Sequence, residues 1–407
     1  MARAHDPHED HEPEPNDRRA IEATLDRIED RLRDAPDGLH SAGPPASVEA
    51  VAASGLREGV AMLWERWDGL DLAASDAVIL PLGAQADATD LALGEGRIRA
   101  GDRVIGERGR DLLVLVADPW AEGGDVALVE DDGTRLPYGS TVERTVLAIL
   151  GEIAVLYGDD GEFRDELIGE DGELLPEIER RLLRRHLDFD PDAPLARFRL
   201  AKSLRQEGEV RGALGELKQL LRRAPEFAWA HHERGRVHLL AGDPRLAAAD
   251  FANAARLADD PGLRAYFMAW QGLASAGEER QRIGKAVLEA MPGFPAAQEA
   301  GVRDALEVED GKRAEEQLQL GLAICPGHLG LLSLRPQVEA LVATSPAPAP
   351  SSPAASPSRA SSPSRAPSPA RGRAPAPAPA PRPRSPRGEA PAGGPGRRPR
   401  PRRGSPR

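Results

Sequence analysis

The His and Glu residues between positions 232 and 238 have the types found in a zinc-hydrolase helix but not its spacing. Such a helix carries its second His four residues after the first, so that both imidazoles lie on one face. In this chain Arg236 takes that position, and His238 follows His232 by six residues. The two rings point in different directions, and the segment predicts no metal site.

Gly277 and Gly284-Lys285 have the residue types of a phosphate-binding loop, which also fails on spacing. Six residues separate the two glycines where the loop requires four, and Ala286 replaces the Ser or Thr that holds magnesium. No Gly-x-Ser-x-Gly elbow occurs, and Cys325 has no signature of a nucleophile. We therefore expect neither an enzyme nor a cofactor site.

His5, His8 and His11 are evenly spaced among Asp and Glu residues. They could form a weak transition-metal tract. The alternative is a solvated tail, because nothing in residues 1–16 would hold three imidazoles in a fixed geometry. The prediction is a disordered acidic N-terminus without a metal site.

Residues 232–238 belong to a segment that predicts helices and contains an internal sequence repeat. Residues 194–261 match themselves after a shift of 34, with small or apolar residues in register. The matching pairs are Ala201 and Gly235, Gly208 and Gly242, Ala213 and Ala247, Leu217 and Phe251, and Leu220 and Ala254. Small residues let two helices approach closely, and glycine permits the reversal between them. The pattern resembles the tetratricopeptide repeat (TPR), with four units over residues 190–330.

Stacked helical pairs leave a concave face that binds polypeptide. With that geometry, the first-helix residues that line the concave side are Phe198, Lys202, Arg205, Trp229, His232 and Arg236. Lys and Arg there would favour an acidic peptide or a chain-terminal carboxylate. The alternative is a solvated basic helix face. The third unit is degenerate, because Arg280 and Gly284 take core positions.

Ahead of the repeats, residues 17–157 change from helical to strand periodicity and back. One helix face is formed by Ile21, Leu25, Ile28 and Leu32. Ser47 caps a second helix that ends by Asp68-Gly69, and Gly55 and Gly59 could divide it into two helices. Short β-rich runs follow at 78–80, 104–105, 112–116, 126–129 and 134–138. Ser140 with Glu143 predicts a capped closing helix, and the order predicts an α+β domain with an antiparallel sheet and flanking helices.

Several short motifs in this region resemble the SUKH superfamily of Smi/Knr-type proteins. They are Arg27–Leu32, Pro45–Glu49, Trp64–Leu70, Ile105–Glu107 with Gly109, and the 111–118 and 124–130 strands. The resemblance covers residues 17–157, with a departure in the long Ala-rich segment at 83–100. It implies a non-enzymatic binding domain, which in bacteria often serves as an immunity protein against a toxin domain and in fungi acts in cell-wall signalling.

Trp120 is the candidate contact residue of this domain. It follows Asp118-Pro119 in a polar loop that also contains Gly123-Gly124. An exposed aromatic side chain there would anchor a protein partner. The alternative is that the ring packs back onto the sheet.

Composition sets the remaining boundaries. Residues 158–189 are an acidic linker followed by a basic capping helix. Residues 345–407 hold 19 of the 38 prolines, 13 Arg and one Glu, which predicts a disordered basic tail. That tail could be a tether, a phosphorylatable Ser-Pro segment or a solubilising extension. The net charge of the chain is −13 and that of the tail is +12, so residues 1–344 carry −25. This acidic part would repel nucleic acid.

These features together predict a cytoplasmic, non-enzymatic adaptor of two domains. No apolar run reaches 18 residues and the start lacks the apolar core of a secretory signal, so we expect no membrane span. A single cysteine fits a reducing compartment. The SUKH-like domain would bind one protein and the TPR-like repeats another. The alternatives are an immunity protein that neutralises a polymorphic toxin, and nucleic-acid association through the basic tail.

Overall fold

The computed structural model describes residues 15–119, 123–169 and 172–344. The predicted tail at 345–407, nearly all of the predicted N-terminal segment and Trp120 lie outside these residues. Residues 15 and 16, predicted to belong to the acidic N-terminus, already form the first turn of a helix.

Among the described residues before 158, five α-helices pack around a sheet. Their bounds are α1 Pro15–Asp34, α2 Val48–Ser54, α3 Glu58–Arg66, α4 Leu82–Gly94 and α5 Val142–Leu156. Ser47 caps α2 as predicted, since its side chain accepts from the Ala50 backbone N–H. Gly55 ends α2 in the left-handed region at φ 67°, so the second predicted helix is divided there.

In the part of the chain that the structure describes, seven strands form one antiparallel sheet in sequential order. They are β1 Ser41–Ala42, β2 Leu70–Leu72, β3 Ala77–Ile79, β4 Arg103–Arg108, β5 Asp111–Leu115, β6 Val126–Val129 and β7 Arg135–Gly139. Leu112 pairs with Val129, which confirms the predicted antiparallel neighbours β5 and β6. The short strands β1 and β2 were not predicted, because two or three residues are too few to show alternation.

One expectation for this region was wrong, and one segment had no predicted element. The Ala-rich segment at 83–100, which had none, contains most of helix α4, because alanine has the highest helix propensity. Ser140 does not cap the closing helix: Thr141 does, by accepting from the Arg144 N–H. Ser140 instead donates from its N–H and Oγ to Asp190, at 2.8 and 2.5 Å.

Helices cover both faces of the sheet. Ile105 and Leu113 belong to the core under α1, α3 and α5, where Trp64 is fully buried and donates to the Leu80 carbonyl oxygen. The neighbouring residues Val104 and Val114 belong to a smaller core beneath α4. This alternation follows from the two-residue period of a strand.

The rest of the described chain is helical and consists of a capping helix, four helical pairs and a last helix. Their bounds are α6 Pro176–Phe189; α7 Pro194–Gln206 and α8 Val210–Arg223; α9 Ala228–Leu240 and α10 Pro244–Leu257; α11 Pro261–Ala274 and α12 Gly277–Ala290; α13 Phe294–Glu307 and α14 Gly311–Ile324; and α15 Leu329–Thr344. Gly208 and Gly242 make the first two turns at φ 79° and 80°. Helical pairs at this spacing confirm the repeat prediction.

The third unit shows why Arg280 is compatible with a core position. Its guanidinium group donates to the carbonyl oxygens of Gly272, Leu273 and Ser275 at 2.8–3.3 Å. Those carbonyls lie at the end of α11, where they have no partner within the helix. The Arg280 side chain therefore caps the end of α11.

The sheet region and the repeats share a hydrophobic core. Phe189 and Leu195, from α6 and α7, belong to the same buried cluster as the sheet and α5. Asp190 is fully buried and accepts from Ser140. The predicted capping helix therefore contributes Phe189 to the core of the sheet region.

Candidate functional site

The first helices of units one to three present equivalent positions on one face. Two positions recur at intervals of 34 residues. The first is occupied by Phe198, His232 and Tyr266, and the second by Lys202, Arg236 and Trp270. We call these six residues the ladder face. The imidazole of His232 lies 5.6 Å from the Tyr266 ring, and the Arg236 guanidinium lies 4.9 Å from the Trp270 ring centre. Four of the predicted contact residues are therefore on this face.

Phe198 and Lys202 lie at the accessible end of the ladder face. The Phe198 ring is half-buried and lies 5.2 Å from the Phe227 ring, between centroids. Lys202 is exposed one helical turn further along α7. An apolar ring beside an exposed ammonium group is a suitable surface for a peptide backbone with an acidic side chain.

His232 is a buried member of the ladder face. It is 2% exposed, and its ring centroid lies 5.1–5.6 Å from those of five aromatic side chains; these are Trp229, Phe251, Tyr266, Phe267 and Trp270. Burial lowers the pKa of His232 well below its ordinary value, and the charges of Arg236 and Arg205 add to this effect. The imidazole is therefore a neutral member of an aromatic cluster, to which Trp229 also belongs.

The two predicted arginines are already paired with carboxylates of this chain. Arg205 donates to Glu233, which is 2% exposed. Arg236 donates to Glu316 at 2.5 Å, across 80 residues of sequence. Sequence reasoning missed both acidic residues. Glu233 is next to a predicted contact residue, but no local pattern connects α9 with α14.

Helix α14 covers the second half of the ladder face. Leu320 and Ile324 belong to the same buried cluster as Phe251 and Trp270. Gly272 and Gly284 make room for this helix, since an added Cβ would lie 3.3 Å and 3.2 Å from atoms of Ile324. The predicted concave face is therefore accessible at the first unit and occupied by the chain's own helix at the second and third.

The residues considered for zinc chemistry do not converge. His238 lies 3.6 Å from Asp250, whereas His232 is surrounded by aromatic rings. Within the described part of the chain, no group of three His, Cys, Asp or Glu side chains could hold a metal ion. None of the described helices is long and apolar enough to cross a membrane.

The helical pairs and their 34-residue spacing define the architecture as TPR-like repeats joined to an antiparallel α+β unit. No family model matches the chain, and no curated protein matches it. Two solved structures similar to it are TPR proteins. The TPR protein YrrB, described as having an unusual peptide-binding site, is 21% identical over 40% of this chain and 84% of its own, with a TM-score of 0.28. A thermophilic TPR protein of Thermus thermophilus is 20% identical over 41% of this chain and 91% of its own, also with a TM-score of 0.28.

Proposed function

We propose that this protein is a non-enzymatic adaptor that binds polypeptide at the accessible end of its TPR-like repeats. The observation that carries the proposal is the half-buried Phe198 beside the exposed Lys202, on the first helix of a regular stack of helical pairs. The ring supplies apolar contact area, and the ammonium group would pair with an acidic side chain or a terminal carboxylate.

Two ion pairs within the chain limit which cation can bind a ligand carboxylate. The charges of Arg205 and Arg236 are compensated by Glu233 and Glu316, so a ligand carboxylate would have to compete with them. Lys202 is then the cation that a ligand meets without disrupting the fold. A bound peptide would extend from Lys202 toward Phe198 and Phe227.

The experiment compares Lys202→Glu with Lys218→Glu. Both lysines are exposed and belong to the first unit, but Lys218 lies on α8, the second helix. Peptides selected from a displayed random library on the full-length protein serve as probes. Reversing an exposed charge changes binding by about 1 kcal/mol, so we expect about five-fold weaker affinity for Lys202→Glu and no change for Lys218→Glu. Equal affinity of both variants, or failure to select any peptide, would reject the proposed site.

The narrower alternative is a toxin-neutralising immunity protein. It rests on the SUKH-like motifs in residues 17–157, and the helix-flanked antiparallel sheet is compatible with it. A neighbouring toxin-like reading frame, with rescue of growth when the two are co-expressed, would favour this function. Absence of rescue by the full-length protein would leave the adaptor function alone.

A third candidate is association with nucleic acid through residues 345–407, which lie outside the described residues. It rests on the 13 Arg and one Glu of that segment. Binding should fall steeply with salt concentration and disappear when the chain is truncated at Ser345. No binding at low salt would exclude it.

A further inference from the structure

A cavity unrelated to the ladder face lies where the sheet, α5, α6 and α7 meet. Its volume is about 750 Å³, which is within the range of small-molecule sites. Leu156, Leu183 and Leu195 form apolar parts of its wall. The cavity can therefore accept the carbon skeleton of a ligand.

A network of buried polar groups lines one side of this cavity. Arg108 donates two hydrogen bonds to Glu152, at 2.9 and 2.8 Å, and a third to the Tyr138 hydroxyl. Burial alone would raise the pKa of Glu152, but Arg108 and then His186 hold it below its ordinary value. Glu152 is therefore a carboxylate inside the protein.

His186 connects this network to the cavity. The residue is 5% exposed and lines the cavity, and its Nδ1 lies 3.8 Å from Glu152 Oε1. Because Nδ1 faces Glu152, the opposite ring nitrogen, Nε2, is directed away from this carboxylate. His186 Nε2 is buried and has no hydrogen-bond partner among the described residues. A buried ring nitrogen of this kind is stabilised by a ligand that forms a hydrogen bond with it.

The charges around the cavity indicate the sign of that ligand. Four carboxylates line it, against the two guanidinium groups of Arg108 and Arg199. Glu152 is compensated by Arg108, and the carboxylates of Asp76 and Glu179 are exposed at the rim. An excess of negative charge over an apolar wall favours a cation on an apolar stem.

We infer that this cavity binds a ligand with an ammonium or guanidinium group, which donates to His186 Nε2 and lies among the rim carboxylates. The same chemistry is present in a free alkylamine or guanidine and in a Lys or Arg side chain of a partner protein. The inference is independent of peptide binding at the ladder face, because the two sites share no residue.

The test measures binding of agmatine, spermidine and a blocked Ala-Arg-Ala peptide to the full-length protein by calorimetry. Glu179→Gln removes a rim carboxylate, and Glu177→Gln is its matched control, exposed on the same helix but outside the cavity. His186→Phe keeps a ring and removes the acceptor; its circular dichroism and Tm report whether it folds. We expect agmatine to bind about ten-fold more weakly to His186→Phe and a few-fold more weakly to Glu179→Gln, with Glu177→Gln unchanged.

The relative affinities of the three probes show whether the natural cation is a small molecule or a side chain of a partner protein. Tighter binding of the peptide indicates a protein partner, tighter binding of agmatine or spermidine indicates a small molecule, and either supports the site. Labelled His186 should also show a shift of its Nε2 nitrogen signal during the titration. No saturable binding of any probe at millimolar concentration, equal affinity of Glu179→Gln and Glu177→Gln, or competition by acetate would overturn the inference.

Discussion

The Arg205–Glu233 ion pair illustrates what a cation on a helix can do once its neighbours are known. A basic residue at a first-helix position is expected to face a ligand, yet this one neutralises a carboxylate that is 2% exposed. Removing one partner of a buried pair leaves the other charge without compensation. The role of Arg205 is therefore first of all in stability.

We expect Arg205→Met to destabilise the protein by about 3 kcal/mol, because Glu233 would remain buried and unpaired. The measurement is urea unfolding of the full-length protein. Arg211→Met, at an exposed position of α8, is the control and should change stability by less than about 0.5 kcal/mol. Equal effects of the two substitutions would show that the pair contributes nothing.

His232 makes the stability of the repeats dependent on pH. Its pKa is lowered by burial in the folded state, so the folded protein binds this proton less readily than the unfolded chain. The stability contribution is complete above the unfolded value of about 6.5 and is lost as the pH falls toward and through the folded pKa.

We therefore expect the wild type to lose up to about 1.4 kcal/mol of stability per pH unit below about pH 6.5 through this residue. His232→Phe keeps an aromatic ring in the cluster and removes this term, while the other histidines stay the same. Urea unfolding of both proteins from neutral pH to about pH 5.5 measures the difference. Parallel pH profiles would contradict the assignment.

At the scale of elements, the fit between helices of one unit depends on single small residues. A Cβ at Gly235 of α9 would lie 2.7 Å from the fully buried Phe251 ring of α10. Gly215 of α8 has nothing within 4 Å of the same position. Gly235 therefore lies at a close helix contact, whereas Gly215 faces open space.

Gly235→Ala should destabilise the protein by about 2 kcal/mol, because the Phe251 ring must move in a packed core. Gly215→Ala should stabilise it by about 0.5–1 kcal/mol through helix propensity alone. Thermal and urea unfolding of the two variants test both signs. A stabilising Gly235→Ala would mean that α9 and α10 pack less closely than described.

At the scale of the whole molecule, Phe189 joins the sheet region to the repeats. It is 6% exposed, and Cβ of any residue larger than glycine at position 151 would clash with its ring. The guanidinium groups of Arg27, Arg31 and Arg185 lie 4.4–5.5 Å from the ring centre. One side chain from α6 thus contacts α1 and α5.

Phe189→Ala should cost about 3–5 kcal/mol and loosen both regions together. Hydrogen exchange followed by mass spectrometry should show loss of protection in β5 and in α7 at the same denaturant concentration. Phe163→Ala, whose side chain is 39% exposed, is the control with a small expected effect. Loss of protection in one region alone would show that the two fold independently.

Much of the fold could be predicted because its signals are local. The N-cap at Ser47 and the β-rich run at 112–116 each depend on neighbours within one turn or strand, and the helical repeat shows as a fixed spacing of 34 residues. The state of the ladder-face residues was harder to predict. Their positions follow from the repeat, but the burial of His232 depends on aromatic residues of the next unit. The ion pair of Arg236 depends on Glu316 of α14.

By itself, the sequence determined the succession of helices and strands, the repeat length and the small residues at helix contacts, since backbone propensity and side-chain periodicity act over short stretches. The tertiary structure alone decided that Glu316 reaches Arg236, that Asp190 holds Ser140, and that Arg108, Glu152 and His186 meet beside one cavity. Such encounters join residues from 34 to 80 positions apart, and no short-range pattern in the chain specifies which distant surfaces will pack together.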